Sequence, residues 1–240
     1  VLDALGASAF SAEQIKTFLS ARSTVNDIVK AVAKSHQKEY RYSAPEIFTF
    51  GDTLVITLAI KKNRSIPGQI GFAVTLMRRY MFHAMTHGLL FRGAFAIGNY
   101  IEEAESNTVM GEAVADAAEW YDRADWAGIC ATPKSCTQIE FHAYGKRVLE
   151  PTFLVPYSVP LKGGIKHQLY CVSWPGAFFD EVLRQLSSEP TPRQAFLALL
   201  KDMSYPATAV SKYDNTKAFF SHIEEKIAES LRASSTSADS

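Results

Sequence analysis

Gly51-Asp52 is the tightest constraint in the chain: only these two residues separate two β-rich runs, 47–50 and 53–60. A two-residue connection with glycine at its first position joins strands as a hairpin and fixes their register. The turn therefore carries Asp52 at its tip. A second aspartate, Asp3, lies in an apolar strand over 1–5 that runs into the small-residue turn Gly6-Ala7-Ser8. Carboxylates at the ends of neighbouring strands can hold a hard divalent cation, and backbone N–H groups in such a turn can face phosphate oxygens.

The pattern around these two aspartates alternates strand and helix. Ser11 and Gln14 have the capping-box spacing, and Ile15, Phe18, Leu19, Val25, Ile28, Val29 and Val32 recur at helical spacing to about residue 38. Beyond the hairpin, 70–87 reads as a long helix broken by Gly88. The strand over 89–100 is relieved by Gly93 and Gly98, a place for close approach of another backbone or a ligand. Residues 102–107 read as an acidic turn, 112–123 as a helix and 126–131 as a strand. From 137 to 174 the pattern is β and loop, broken at Pro151, Pro156, Pro160 and Gly163-Gly164. Helices follow over 178–186, 194–203 and 218–231, and the small polar residues 233–240 are expected to be disordered. This order predicts an α/β (α+β) sandwich with a mostly antiparallel sheet over 1–174. A helical extension of the same domain follows over 175–232.

Composition narrows the partners. Lysine plus arginine (25) equal aspartate plus glutamate (25), so the chain has no electrostatic footprint for gripping long nucleic acid. A single triphosphate needs only a few local cations. The three cysteines, Cys130, Cys136 and Cys171, form no CxxC pair, which suggests unpaired thiols in a reducing cytosol. No apolar run reaches the roughly 18 residues of a membrane span, so a soluble, cytoplasmic protein is expected. His83 and His87 have a zinc-helix spacing, but Ala84 stands where a zinc hydrolase carries glutamate.

The order of motifs resembles the class III nucleotidyl cyclases. Those enzymes carry Asp-Ile-x-Gly-Phe-Thr on a first strand, a Gly-Asp dyad in a hairpin, Arg-x-Gly-Ile-x-x-Gly on a later strand, and a Trp-Gly-x-x-Val-Asn helix start. Here Asp3-Ala4-Leu5-Gly6-Ala7-Ser8 is followed by Phe50-Gly51-Asp52, with the aspartates 52 − 3 = 49 residues apart. The segment from Arg92 to Gly98 and Met110-Gly111 then follow in the same order. Within the family the texture is most similar to the pyrimidine cyclases of the Pycsar antiphage system, which make cyclic UMP or cyclic CMP.

The resemblance implies a ferredoxin/palm-like fold and a homodimer with sites built across its interface. It also implies conversion of UTP or CTP to the 3′,5′-cyclic nucleotide and diphosphate, as a second messenger read by a separate effector. Two manganese or magnesium ions would be held by Asp3, Asp52 and the Ala4 carbonyl, for in-line attack of the ribose 3′-oxygen on the α-phosphate. Gly6, Ala7 and Ser8 would cradle the triphosphate, and Lys162 resembles the lysine that meets its terminal phosphates. Arg92 has two readings, a phosphate partner or the partner of an acidic neighbour. Phe48 stands three residues before Gly51, where purine cyclases read the base with lysine. It is either a base-stacking ring favouring a pyrimidine or a core aromatic. The family's transition-state asparagine and arginine fall on Ala115 and Glu119, leaving Arg92 or Arg123 as substitutes. A purine cyclase and a catalytically silent cyclase-like domain are the alternatives.

Overall fold

The computed structural model describes residues 1–7, 10–143, 149–185, 190–203 and 209–238. Its first six elements are β1 (Leu2–Ala4), α1 (Ala12–Tyr40), β2 (Pro45–Phe50), β3 (Thr53–Leu58), α2 (Ile66–Thr86) and β4 (Phe91–Phe95). A small hairpin of β5 (Ile101–Glu103) and β6 (Thr108–Met110) follows, then α3 (Glu112–Arg123), β7 (Ile129–Ala131) and α4 (Pro133–Ala143). The chain continues through β8 (Leu154–Pro160), β9 (Lys166–Val172), α5 (Gly176–Gln185), α6 (Pro192–Asp202) and α7 (Val210–Ala238). Seven strands form one sheet in the order β2-β3-β1-β4-β7-β9-β8. Only β4 and β7 run parallel, so the protein is α/β with a mostly antiparallel mixed sheet and flanking helices.

Local chemistry accounts for most of these elements. Ser11 accepts from the Gln14 N–H while the Gln14 side chain accepts from the Ser11 N–H, the reciprocal cap that starts α1. Pro45 lies in β2, and Pro156 and Pro160 lie in β8. These are the two outer strands of the sheet, where a residue without an N–H is tolerated. Pro156 and Pro160 therefore do not break the strand as their type suggested. Gly93 is required by a neighbour: a Cβ there would lie 2.4 Å from Leu2 Cδ2 and 2.8 Å from the Val1 carbonyl. The close approach expected of that glycine is the packing of β1 on β4.

Two sequence expectations are corrected. Residues 137–143, expected as β structure or loop, belong to helix α4, which runs Pro133–Ala143. Thr137, Ile139 and Phe141 alternate like a strand, but Ile139 and Ala143, four apart, are both buried. Thr132 Oγ1 also accepts from the Ser135 N–H at 3.3 Å, ahead of Pro133 at the first helical position. In the acidic segment 102–107, Glu102 and Glu103 pair within β5 and residues 104–107 form the tip of the β5–β6 hairpin, with Asn107 at a φ of 49°. Helix α7 extends to Ala238, into the segment expected to be disordered; no glycine or proline interrupts it.

Alternation gives the sheet two unlike faces. Leu2, Ala4, Leu54 and Phe91 are buried on one, where α2 packs with Tyr80 edge-on to Phe91 at 5.5 Å. The second helical layer is tied in by rings. Trp174, just after β9, is surrounded by Phe178, Phe196, Phe219 and Phe220 from α5, α6 and α7. Arg78 of α2, nearly buried, donates Nε to the Ser173 carbonyl and Nη2 to Asp180, both at 3.0 Å. The C-terminal helices thus share one continuous core with the sheet. No helix among the described residues is long and apolar enough to cross a membrane.

Candidate active site

The opposite sheet face carries the charges. Asp3 lies between Thr53 of β3 and Arg92 of β4 in register, and paired residues present their side chains on the same face. Thr53 Oγ1 donates to Asp3 Oδ1 at 3.2 Å. Arg92 donates Nε to Asp3 Oδ2 at 3.0 Å, and its Nη2 lies 3.0 Å from the same oxygen. The side chains of Asp3 and Arg92 are each 13% exposed, so this pair is largely desolvated and correspondingly strong.

Arg92 is held from its other side by α3. Its Nη2 is 2.9 Å from Asp122 Oδ1, its Nη1 donates to the Asp122 carbonyl at 3.2 Å, and its guanidinium stands 5.6 Å from the Tyr121 ring centre. Lys162 reaches the same Asp122 Oδ1 at 2.8 Å. The β8–β9 turn is fixed there because the Lys162 N–H donates to the Arg123 carbonyl at 2.8 Å. An alternating chain of charge, Asp3–Arg92–Asp122–Lys162, therefore crosses from β1 to that turn. Two of the cations expected from sequence, Arg92 and Lys162, are brought together. Thr53, Tyr121 and Asp122 were not expected.

The Lys162 ammonium, followed by Arg92, holds the Asp122 carboxyl below its ordinary value. A carboxyl depressed in the fold adds stability above its unfolded pKa of about 3.9, and that contribution is lost as pH falls through the folded value. Carbon NMR titration of Asp122 should find its midpoint low, and Lys162→Met should move it upward. An unmoved midpoint would remove Lys162 from the network. Burial, then the Asp3 charge, raises the pKa of Tyr121, so its phenol stays protonated beside its hydrogen-bond partner Thr53.

Asp52 sits one residue from the cross-strand partner of Asp3. Gly51 has a φ of 62° and Phe50 pairs with Thr53, a two-residue turn with glycine first. Arg22 of α1 donates to the Gly51 carbonyl and clamps the tip. The Ala4 N–H donates to the Asp52 carbonyl at 3.2 Å. In an antiparallel pair a residue's N–H and C=O face the same neighbour, so the Ala4 carbonyl also looks toward the Asp52 turn. No described residue forms an ion pair with Asp52.

Asp3, the Ala4 carbonyl and Asp52, which is one residue from the cross-strand partner of Asp3, offer oxygen donors only, the donor type that hard Mg²⁺ and Mn²⁺ take. Among the described residues no group of three or more His, Cys, Asp or Glu side chains converges. Substrate oxygens would have to complete the coordination shell. On donor chemistry the residues fit such ions.

The other expected residues fall as follows. Gly6 has a φ of 84° and the Ala7 carbonyl accepts from the Phe10 N–H at 3.1 Å, while Ser8 lies outside the described residues. Phe48 is 2% exposed, so its ring is a core side chain of the sheet and offers no open face to a base. Its cross-strand partner Val55 instead lines a cavity of about 690 Å³, together with Thr57, Ala94, Tyr100, Glu102 and Val114. By alternation Val55, Thr57 and Ala94 share the face of Asp3, but Leu2, Ile56 and Ile70 from the other face line the cavity too, and it opens at the start of β1, the end away from the Asp52 turn. Asp3, Asp52, Arg92 and Lys162 do not line it. Ala115 and Glu119 are exposed on α3, where Glu119 pairs with Arg123. No protein-family model, curated protein or solved structure matches the chain.

Proposed function

We propose that the protein is a metal-dependent nucleotidyl cyclase that converts UTP or CTP to the 3′,5′-cyclic nucleotide and diphosphate. The observation that carries this reading is the meeting of Asp3, the Asp52 turn and the Arg92–Asp122–Lys162 chain at one end of β1. The sheet order β2-β3-β1-β4 over a β-α-β-β-α-β run is compatible with the ferredoxin/palm-like fold that this reading expects, and supports it. Asp3, Asp52 and the Ala4 carbonyl would hold Mn²⁺ or Mg²⁺, which would supply acidity to the ribose 3′-hydroxyl and offset charge on the departing diphosphate.

The chain's own residues do the rest. Arg92 and Lys162 lie along one line, both paired with Asp122, and would meet a polyphosphate as those pairs open. Gly6 and Ala7 turn the backbone where β1 leaves the sheet. The cavity at the start of β1 is within the size range of small-molecule sites and mostly apolar, but it lies at the other end of that strand from the Asp52 turn, so a base would reach it only across the length of β1. Phe48 supports its wall through Val55 and gives no ammonium at the position where purine cyclases carry lysine. A homodimer would bring the exposed Ala115 and Glu119 face of α3 to a partner's site.

One observation favours a silent nucleotide-binding domain instead: Asp3 is already clasped by Arg92. Incubation with each of the four ribonucleoside triphosphates and Mn²⁺ separates the readings. Cyclic UMP or cyclic CMP should accumulate, with little product from ATP or GTP. Purine product alone would support the purine cyclase, and binding without product the silent domain.

A further inference from the structure

Both oxygens of Asp3 are engaged, Oδ1 by Thr53 and Oδ2 twice by Arg92. A carboxylate has further lone pairs, but a divalent cation seated on them faces a like charge beside it, with little water between to screen it. Arg92 is also equipped to let go. Its second anchor, the Asp122 carboxylate, is 58% exposed and already in contact with the same guanidinium nitrogen. Tyr121 gives the guanidinium a ring to rest on, and Lys162 shares the Asp122 charge. Asp52 has no such occupant among the described residues. The two acidic groups at this end of β1 are therefore unequal: one is open, and the other is held by a cation the protein supplies itself.

Resting on the cyclase reading, we propose that Arg92 is a built-in competitor for the metal, a resident counter-ion that must leave Asp3 before a divalent cation can bind there. Arg92 divides its charge between Asp3 and Asp122, so Asp122 sets how firmly Asp3 is held. When the cation takes Asp3, the Arg92 fork facing Asp3 is released and becomes available to a phosphate oxygen. Cation and polyphosphate then favour each other's binding through one side chain, a coupling that works equally in both directions. In the absence of cation, the same contact keeps Asp3 paired and the fold free of an uncompensated, largely buried charge.

The test is Mn²⁺ binding to the full chain, read at low salt from the paramagnetic resonance of free Mn²⁺, with no nucleotide present. Arg92→Gln should tighten binding by about 10- to 100-fold, the scale on which groups around a metal ligand act. Asp122→Asn should weaken binding, because Arg92 then clasps Asp3 alone. Arg92→Lys, whose point charge cannot fork across two carboxylates, should also tighten binding if the glutamine variant does not fold. Binding to the Arg92 variants that is no tighter than wild type would overturn the proposal. Tighter binding by Arg92→Gln, beside a wild type that cyclises no triphosphate, would keep Arg92 as competitor and sink the cyclase. Unchanged affinity beside an active wild type would do the reverse.

Discussion

Asp52→Ala is expected to lower cyclic-nucleotide formation by about 10²–10³-fold, the several kcal/mol that metal assistance contributes to such a displacement. The effect should be large because Asp52 is the open member of the donor set. It has no ion-pair partner among the described residues, and no group of three or more His, Cys, Asp or Glu side chains converges among them to replace it. Its removal should leave the fold intact. The turn is set by Gly51 and clamped by Arg22 on the Gly51 carbonyl, and the contact from Ala4 uses the Asp52 backbone oxygen, which alanine retains. The variant should therefore unfold at the wild-type temperature while turnover collapses. Turnover surviving in a well-folded Asp52→Ala protein would remove this aspartate from the chemistry.

Trp174→Ala should give the largest loss of stability, about 3–5 kcal/mol. The indole is fully buried, and rings from three helices surround it. Phe196 and Phe220, stacked at 4.2 Å, form the floor of that cluster, so its neighbours are rigid planes that cannot collapse into the space. Trp174→Phe should cost much less, since it keeps a ring and removes an indole N–H that has no partner among the described residues. Urea unfolding followed by circular dichroism checks both. A loss below about 1 kcal/mol for the alanine variant would mean that the C-terminal helices do not depend on this contact.

How much of this was legible in the sequence depended on the range of the interaction. Caps and turns are local. Ser11 with Gln14, and Gly51-Asp52 between two β runs, announced α1 and the β2–β3 hairpin without help from the rest of the fold. Helix α4 was hidden because Thr137, Ile139 and Phe141 alternate like a strand, and only burial of Ile139 and Ala143 against the core decides for helix. Pro156 looked like a break because a sequence does not say which strand lies at the edge of a sheet. The charges at the site were the least legible. Asp3 and Arg92 are 89 residues apart, and Lys162 lies 40 beyond Asp122. Each could be named as a charged residue with two readings; that they form one chain through Asp122 is a product of the sheet order. Arg92 turned out to face an acidic neighbour, and that neighbour is itself a candidate metal ligand. Phe48 was placed correctly in the register of the hairpin, but its ring is buried and Val55 reaches the cavity in its place.

The proposed reaction makes a bond between a ribose 3′-oxygen and its own α-phosphorus as diphosphate leaves. Phosphorus NMR of the wild-type protein incubated with UTP or CTP and Mn²⁺, after quenching with excess chelator, reads that bond directly. A cyclic phosphodiester and diphosphate should appear in equal amounts as the triphosphate disappears. Release of orthophosphate without a cyclic product, or triphosphate left intact, would contradict the account.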